Sequence, residues 1–307
     1  MKRLLKIFLQ IIIMILCLWY LCRGLDYQVF MAAVRSMPWQ GAIILSGFIA
    51  LGYLALGLRL KCLIPSLPFI SAMAVEIVGN GLNILLPAKL GEIFKIKALA
   101  KKTGLSTAAS THFVFWTRFS EINLLFFLAL ATLDQSIVLF LGVIALCWGS
   151  LIVLWSAPSR PLRLLYKIPF PKIKNFSLDL ARNLAQRPNF FFRLLACSVL
   201  VWGLYWVQYY WGITYFLATP LSLEQINIIF LAAAGITAVP STPGALGPYE
   251  AAMVFLLTSF GVSKEDALAF SLLMRAFLYL PVALAAVGIS LHWHRRANTP
   301  PAYTSPE

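Results

Sequence analysis

Charge is what this sequence has least of. Only 12% of its 307 residues are Asp, Glu, Lys or Arg, and 61% are hydrophobic, where a soluble domain carries about a quarter charged. Such a chain lacks the polar surface to cover a core in water, and its mean hydropathy of +0.84 assigns it to the bilayer. Histidine is almost absent as well: there are three, and only His112 falls within an apolar run. No HExxH, Ser-His pair, paired-aspartate metal site or phosphate-binding glycine loop is present, so the sequence offers no enzyme chemistry, no metal and no cofactor. His292 and His294 stand without further ligands. The five cysteines, Cys17, Cys22, Cys62, Cys147 and Cys197, lack CxxC spacing, which leaves them as packing residues.

The charge that remains is one-sided, with 25 Lys and Arg against 11 Asp and Glu. No basic groove with interleaved aromatics accompanies it, which excludes nucleic acid as the partner. The cations cluster in short loops beside apolar runs, the pattern of the positive-inside bias. Full spans are expected near residues 4–22, 39–58, 106–132, 136–157, 190–217 and 267–290, each long enough to cross about 30 Å of hydrocarbon as a helix. The first follows Lys2, Arg3 and Lys6 like a signal peptide, but the Trp19 to Arg23 stretch offers no small-residue cleavage site, so it is expected to be retained.

Two further apolar segments are interrupted. Residues 67–87 contain Gly79, Asn80, Gly81 and Pro87, and residues 223–243 contain Gly235, Pro240 and Pro243. A first segment that dips in and returns, over 67–103, keeps Lys89, Lys95, Lys97, Lys101 and Lys102 on the same face as Arg59 and Lys61. With that choice 20 of the 25 basic residues lie on the cytoplasmic side, including the loop 158–189, which suits anionic headgroups. Arg23, Arg35 and Lys264 lie outside; Arg118 and Arg275 fall within spans. The second hairpin covers 223–261.

A shift of 156 residues superimposes Gly79, Pro87 and Gly91 on Gly235, Pro243 and Gly247; after one inserted residue, Gly104, Ser106, Phe113 and Arg118 fall on Gly261, Ser263, Phe270 and Arg275. The expectation is an all-α polytopic membrane protein of about six transmembrane helices and two re-entrant helical hairpins. Residues 1–133 and 134–290 form inverted-topology repeats, and a disordered cytoplasmic tail occupies 291–307. Inverted repeats with broken helices are a construction of secondary transporters, whose sites lie near the membrane midplane.

Candidate site residues gather at the hairpin tips. The first reads Asn83 to Glu92 with Pro87, Lys89 and Gly91, and the second Pro240 to Glu250 with Pro243, Gly244 and Gly247. Helix breakers beside a carboxylate within lipid need protein or a wet cavity around them. Helices restarting after Gly91 and Gly247 could aim their amide-rich ends at a phosphate; the alternative is a kink whose groups satisfy one another. Arg118 and Arg275 each cost about 2.5 to 3.5 kcal/mol at a span centre unless paired. Glu121 stands three residues after Arg118, whereas Arg275 needs a distant partner: Glu250, Glu92 or a ligand phosphate. A structural salt bridge is the competing role. Glu76, Glu92 and Glu250 are candidates for proton coupling, and for Glu76 a neutral acid bonded to backbone is the alternative. Gly104-Leu-Ser106 and Gly261-Val-Ser263 are turn-plus-cap starts. The aromatic-rich segment from Trp202 to Tyr215 either lines an acyl-chain path or packs against lipid.

Together the two tip motifs, with Arg118, Glu121 and Arg275, resemble the flippase-like transmembrane domain of bacterial lysylphosphatidylglycerol synthases and its stand-alone relatives. Ala245 stands where the family usually has a second glycine, and Glu121 where it often has Asp, so the turn at Ala245 is less permissive. The resemblance implies movement of a lipid between leaflets, in the full synthases of aminoacylated phosphatidylglycerol. The soluble aminoacyl-transferase domain is not expected here. The partner implied is an anionic phospholipid or polyprenyl-phosphate-type lipid, in a bacterial cytoplasmic membrane with both termini inside. Alternatives are a scaffold or regulator docking a lipid-synthesis enzyme through the basic loop, and a membrane-embedded lipid-modifying enzyme.

Overall fold

The computed structural model describes residues 2–38, 40–86, 89–132, 189–238 and 242–298. The expected span 136–157, nearly all of the basic loop, Pro87, Pro240, Cys147 and the end of the tail lie outside these residues. Every regular element among those described is helical: α1 (Lys2–Cys22), α2 (Tyr27–Ser36), α3 (Gln40–Leu63), α4 (Phe69–Leu85), α5 (Leu90–Thr103), α6 (Thr107–Thr132), α7 (Phe190–Phe216), α8 (Leu223–Ala238), a 3-10 turn (Pro243–Ala245), α9 (Pro248–Ser259) and α10 (Lys264–Asn298). The chain is an all-α polytopic membrane protein. Among the described residues three helices, α3, α6 and Lys264–Arg295 of α10, are long and apolar enough to cross a membrane, and the bent pair of Gln10–Cys22 in α1 with α2 is a fourth if the two make one span.

α2 is an element that the sequence reading placed in a loop. Asp26 creates it, because its carboxylate accepts from the amides of Gln28 at 2.9 Å and Val29 at 3.1 Å, two donors a helix start leaves unpaired. The chain thereby turns by 89°. The two turn-plus-cap motifs take the same form. Gly104 and Gly261 sit at φ +69 and +88, and the Ser106 and Ser263 hydroxyls accept from Ala109 and Asp266 at 3.1 Å each.

Packing repeats between α3–α6 and α7–α10. α3 lies along α7; α4 packs on α10 as α8 does on α6; and each short helix packs on the next, α4 on α5 and α8 on α9. In lipid, where helices gain little from burying apolar surface, such contacts rest on close approach at small residues. Gly81 shows this, since a methyl group there would come within 2.2 Å of the Ala286 side chain. Two large apolar clusters pack the helices, one around Leu63, Ile64, Leu67 and Phe113, the other around Phe230, Met253, Leu257 and Phe270.

α10 serves as a ruler for both hairpins. Near its start, Lys264 Nζ donates to the carbonyl of Tyr20 at 3.0 Å. Arg275 then meets the second tip, Tyr279 lies against Gly244, and Gly81 of α4 meets Ala286. Near its end, Lys102 at the base of the first hairpin stands 4.4 Å over the Trp293 ring. At 1.5 Å per residue the two hairpin bases are roughly 40 Å apart along this helix, and the tips meet between them.

Candidate functional site

The tips touch directly. Lys89, held at φ +56 where α5 begins, donates from Nζ to the carbonyl of Thr237 near the end of α8. Gly244, at φ +57, sits under the carbonyl of Ile84, close enough that a Cβ would be 3.2 Å from it. Gly91 allows the first hairpin to close, because a methyl group there would meet the Gly79 carbonyl at 1.8 Å.

Around the tips lies a cavity of about 270 Å³ whose wall includes Arg59, Glu76, Asn80, Asn83, Lys89, Lys95, Arg118 and Glu121 on one side, and Trp202, Tyr205, Gln208, Tyr209, Thr242, Gly244 and Tyr279 on the other. The first side is an ionic chain. Arg118 grips Glu92 with two bonds, Nη2 to Oε1 at 2.5 Å and Nε to Oε2 at 3.2 Å, and reaches Glu121 with Nη1 at 2.5 Å. Glu121 also accepts from Arg59 Nη2 at 2.8 Å. Glu92 accepts from Asn83 Nδ2 at 2.8 Å and lies 3.9 Å from Lys95, which itself donates to Glu76 at 2.8 Å and Asn80 at 2.9 Å. Arg118 keeps 41% of its side chain exposed although it belongs to a span, because it faces the cavity and not lipid. A charge in a span is tolerated in such a place.

Arg275 has a different task. It pairs with Glu250 through Nε, donates to the carbonyls of Gly244 at 2.9 Å and Ala245 at 3.1 Å, and lies over the rings of Tyr249 and Tyr279. At 9% exposure, with all three guanidinium nitrogens directed at protein, it braces the second tip and does not reach the cavity wall. Glu250 turns its other oxygen to the amide of Gly247 at 2.8 Å. That corrects the phosphate expectation at the start of α9: the amide-rich end already holds a carboxylate.

Of the expected site residues, Asn83, Lys89, Arg118, Glu121 and Gly244 line the cavity. Glu92 stands behind Arg118; Gly91, Gly247, Glu250 and Arg275 shape the tips. Pro243 opens the 3-10 turn beside the cavity, and Pro87 is outside the described residues. Glu76 is ion-paired with Lys95, in place of the neutral acid bonded to backbone. Two residues were misassigned. Arg59 and Lys95 entered the loop-charge count, yet they are 2% and 5% exposed. Arg59 lies within α3 because that helix continues to Leu63, five residues past the expected end; Lys95 faces Glu76 because the hairpin brings their helices side by side. Gln208, whose amide donates to the Phe48 carbonyl at 2.9 Å, was also missed, whereas the tyrosines of α7 belong to the aromatic segment for which a lining role was one of two expectations. The signal for Gln208 was a polar side chain on an aromatic helix. Tyr205 and Tyr209 face the cavity, while Tyr210 and Tyr215 are exposed.

Long apolar helices around a cavity walled by charged side chains define a multi-pass helical membrane protein with a polar interior. A family model described as the lysylphosphatidylglycerol synthase TM region matches residues 7–286, and the chain belongs to that family. It is similar to a UPF0104 membrane protein of Methanocaldococcus jannaschii, 28% identical over 221 residues, 66% of this chain and 90% of the relative.

Proposed function

We propose that this chain moves a phosphate-bearing anionic lipid between the leaflets of the membrane it spans, as a transporter and not an enzyme. The observation that carries the reading is Arg118, a guanidinium in the middle of a span that turns toward a shared cavity at the meeting point of two broken helices. The planar fork of arginine suits phosphate oxygens, and the apolar helices around the cavity suit acyl chains.

In this reading the two hairpins are re-entrant, and the halves are inverted repeats. What supports it is the paired packing of α3–α6 and α7–α10, together with the hairpin bases at opposite ends of α10. Each hairpin then dips from its own leaflet, and relative movement of the tips exposes the cavity to one side at a time. The clustering of Lys and Arg in short loops of the sequence supports reading both termini as cytoplasmic and the membrane as a bacterial cytoplasmic one.

The test is reconstitution into vesicles carrying a fluorescent phospholipid in both leaflets. Wild type makes the inner-leaflet label accessible to an external quencher, and Arg118→Gln, purified as a folded protein, does not. Equal rates for the two proteins would remove the central role from Arg118.

A further inference from the structure

α3 and α7 each open one of the two groups of helices whose packing repeats, and they lie against each other antiparallel in one continuous seam. Gly41 faces Tyr215, the Phe48 carbonyl accepts from Gln208, Gly52 faces Tyr205, and Ala55 and Leu56 share a buried cluster with Val201. Each step forward on α3 is answered by a step back on α7. Carried one turn further, the seam sets Cys197 against the turn of α3 from Arg59 to Cys62, and there the thiols of Cys62 and Cys197 lie within hydrogen-bonding reach of each other. Nothing in the spacing of the cysteines along the chain announced this pair. A thiol is a weak donor and a weak acceptor, so the contact adds little that two small apolar side chains would not. What sets it apart is its chemistry.

Both side chains are half-buried, which leaves them open to a small oxidant, and their backbones are anchored on α6. Next to Cys197, the Ser198 hydroxyl bonds to that of Ser120 at 2.9 Å. Within one turn of Cys62, Arg59 is tied to Glu121 at 2.8 Å. Neighbouring thiols on anchored backbones need little more than side-chain rotation to come to the S–S separation of about 2.05 Å that a disulfide requires.

We propose that Cys62 and Cys197 form an oxidation-sensitive dithiol, closed to a disulfide by a peroxide and reopened by a thiol reductant, and that the closed form fastens α3–α6 to α7–α10. The thiolate of one cysteine attacks a peroxide oxygen; the O–O bond breaks, hydroxide leaves and a sulfenic acid forms. The other thiolate attacks that sulfur, the S–S bond forms and a second hydroxide leaves. With the two thiol protons the hydroxides become two waters, the dithiol having lost two electrons and the peroxide gained them. Polar contacts across this seam, Ser120 with Ser198 and Phe48 with Gln208, can break and re-form as the halves move. A disulfide cannot. Its effect on lipid movement rests on the transport reading given above; the dithiol itself does not.

The experiment treats the purified full chain in detergent with hydrogen peroxide, then maps its disulfides by mass spectrometry after digestion. The expected product links Cys62 to Cys197 and is reversed by dithiothreitol. Oxidation raises Tm in wild type, because a cross-link between distant positions restricts the unfolded chain, and leaves Tm unchanged in Cys62→Ser and Cys197→Ser. In each variant the remaining thiol is instead trapped by dimedone as a sulfenic acid. In vesicles, lipid exchange by wild type stops on oxidation and resumes with dithiothreitol, while exchange by Cys62→Ser responds to neither. No disulfide between these two residues, peroxide-driven pairing of other cysteines in their place, or inhibition that persists in Cys62→Ser would each overturn the proposal. The mapping uses wild type alone, so it decides the question even where a variant fails to fold. A reversible Cys62–Cys197 disulfide in a protein that moves no lipid when reduced would sink the transport reading and leave the dithiol standing; undiminished exchange in fully oxidised protein would overturn the fastening.

Discussion

Lys89 of the first hairpin donates to the backbone carbonyl of Thr237 in the second, so the ends of two helices 148 residues apart in sequence are tied by one bond. The first hairpin reaches this point from one end of α10 and the second from the other. Bonds of this kind are suited to exchange: an ammonium group can trade a carbonyl for a phosphate oxygen without leaving its place.

The opposed entry of the hairpins is open to chemical labelling. Ser66, before α4, and Ser222, before α8, are both exposed. Single cysteines at these positions in a cysteine-free background are expected to react with an impermeant maleimide from opposite faces of the membrane. Reaction from one face would refute the inverted arrangement.

Arg275→Ala is expected to fail at the level of folding. Removing one partner of a buried ion pair costs about 3 to 5 kcal/mol, and here the carbonyls of Gly244 and Ala245 lose their donors too. Thermal unfolding in detergent should show a marked loss for Arg275→Ala and a small one for Arg118→Gln, whose carboxylate partners keep Lys95 and Arg59.

The hairpin contact at Gly91 predicts an asymmetry between glycines. Gly91→Ala drives a methyl group into the Gly79 carbonyl and is expected to cost at least about 2 kcal/mol. Gly47, helical with nothing within 4 Å of a Cβ, should gain about 0.5 to 1 kcal/mol as alanine. Melting temperatures of the two variants should move in opposite directions.

At Ala245 the backbone is left-handed, φ +58, and the side chain is buried. Glycine relieves about 1 to 2 kcal/mol of strain but forfeits a buried methyl group worth about 0.8 kcal/mol and gains unfolded-state freedom. Ala245→Gly is therefore expected to be close to neutral, and Ala245→Val, β-branched in the same conformation, clearly destabilising.

How far the sequence revealed this site follows from the kind of pattern each residue leaves. The interruptions at Gly79 to Pro87 and Gly235 to Pro243 marked the tips because clustered helix breakers in an apolar run leave backbone groups that lipid cannot satisfy, and the pairing of Glu121 with Arg118 followed from helical spacing. Arg59 and Lys95 left no such mark. Each stands near other lysines, and nothing local separates a cation that faces water from one that finds a carboxylate 62 or 19 residues away. Arg275 was legible in part: its isolation in a span pointed to Glu250 among its partners, and the two are paired, but the carbonyls of Gly244 and Ala245 that share it belong to a turn, which every sequence possesses and none displays. α2 was hidden because its ten residues are too few for a span, and only Asp26 announced it.

The most direct test is to hold the tips together. Leu85→Cys and Leu246→Cys, exposed residues at the ends of α4 and the 3-10 turn, which pack together, in a cysteine-free chain and joined by a short cleavable bis-maleimide, lock the first hairpin to the second in vesicles carrying fluorescent phosphatidylglycerol. The account predicts that lipid exchange between leaflets stops on cross-linking and resumes after the linker is cleaved. Undiminished exchange in fully cross-linked protein would contradict it.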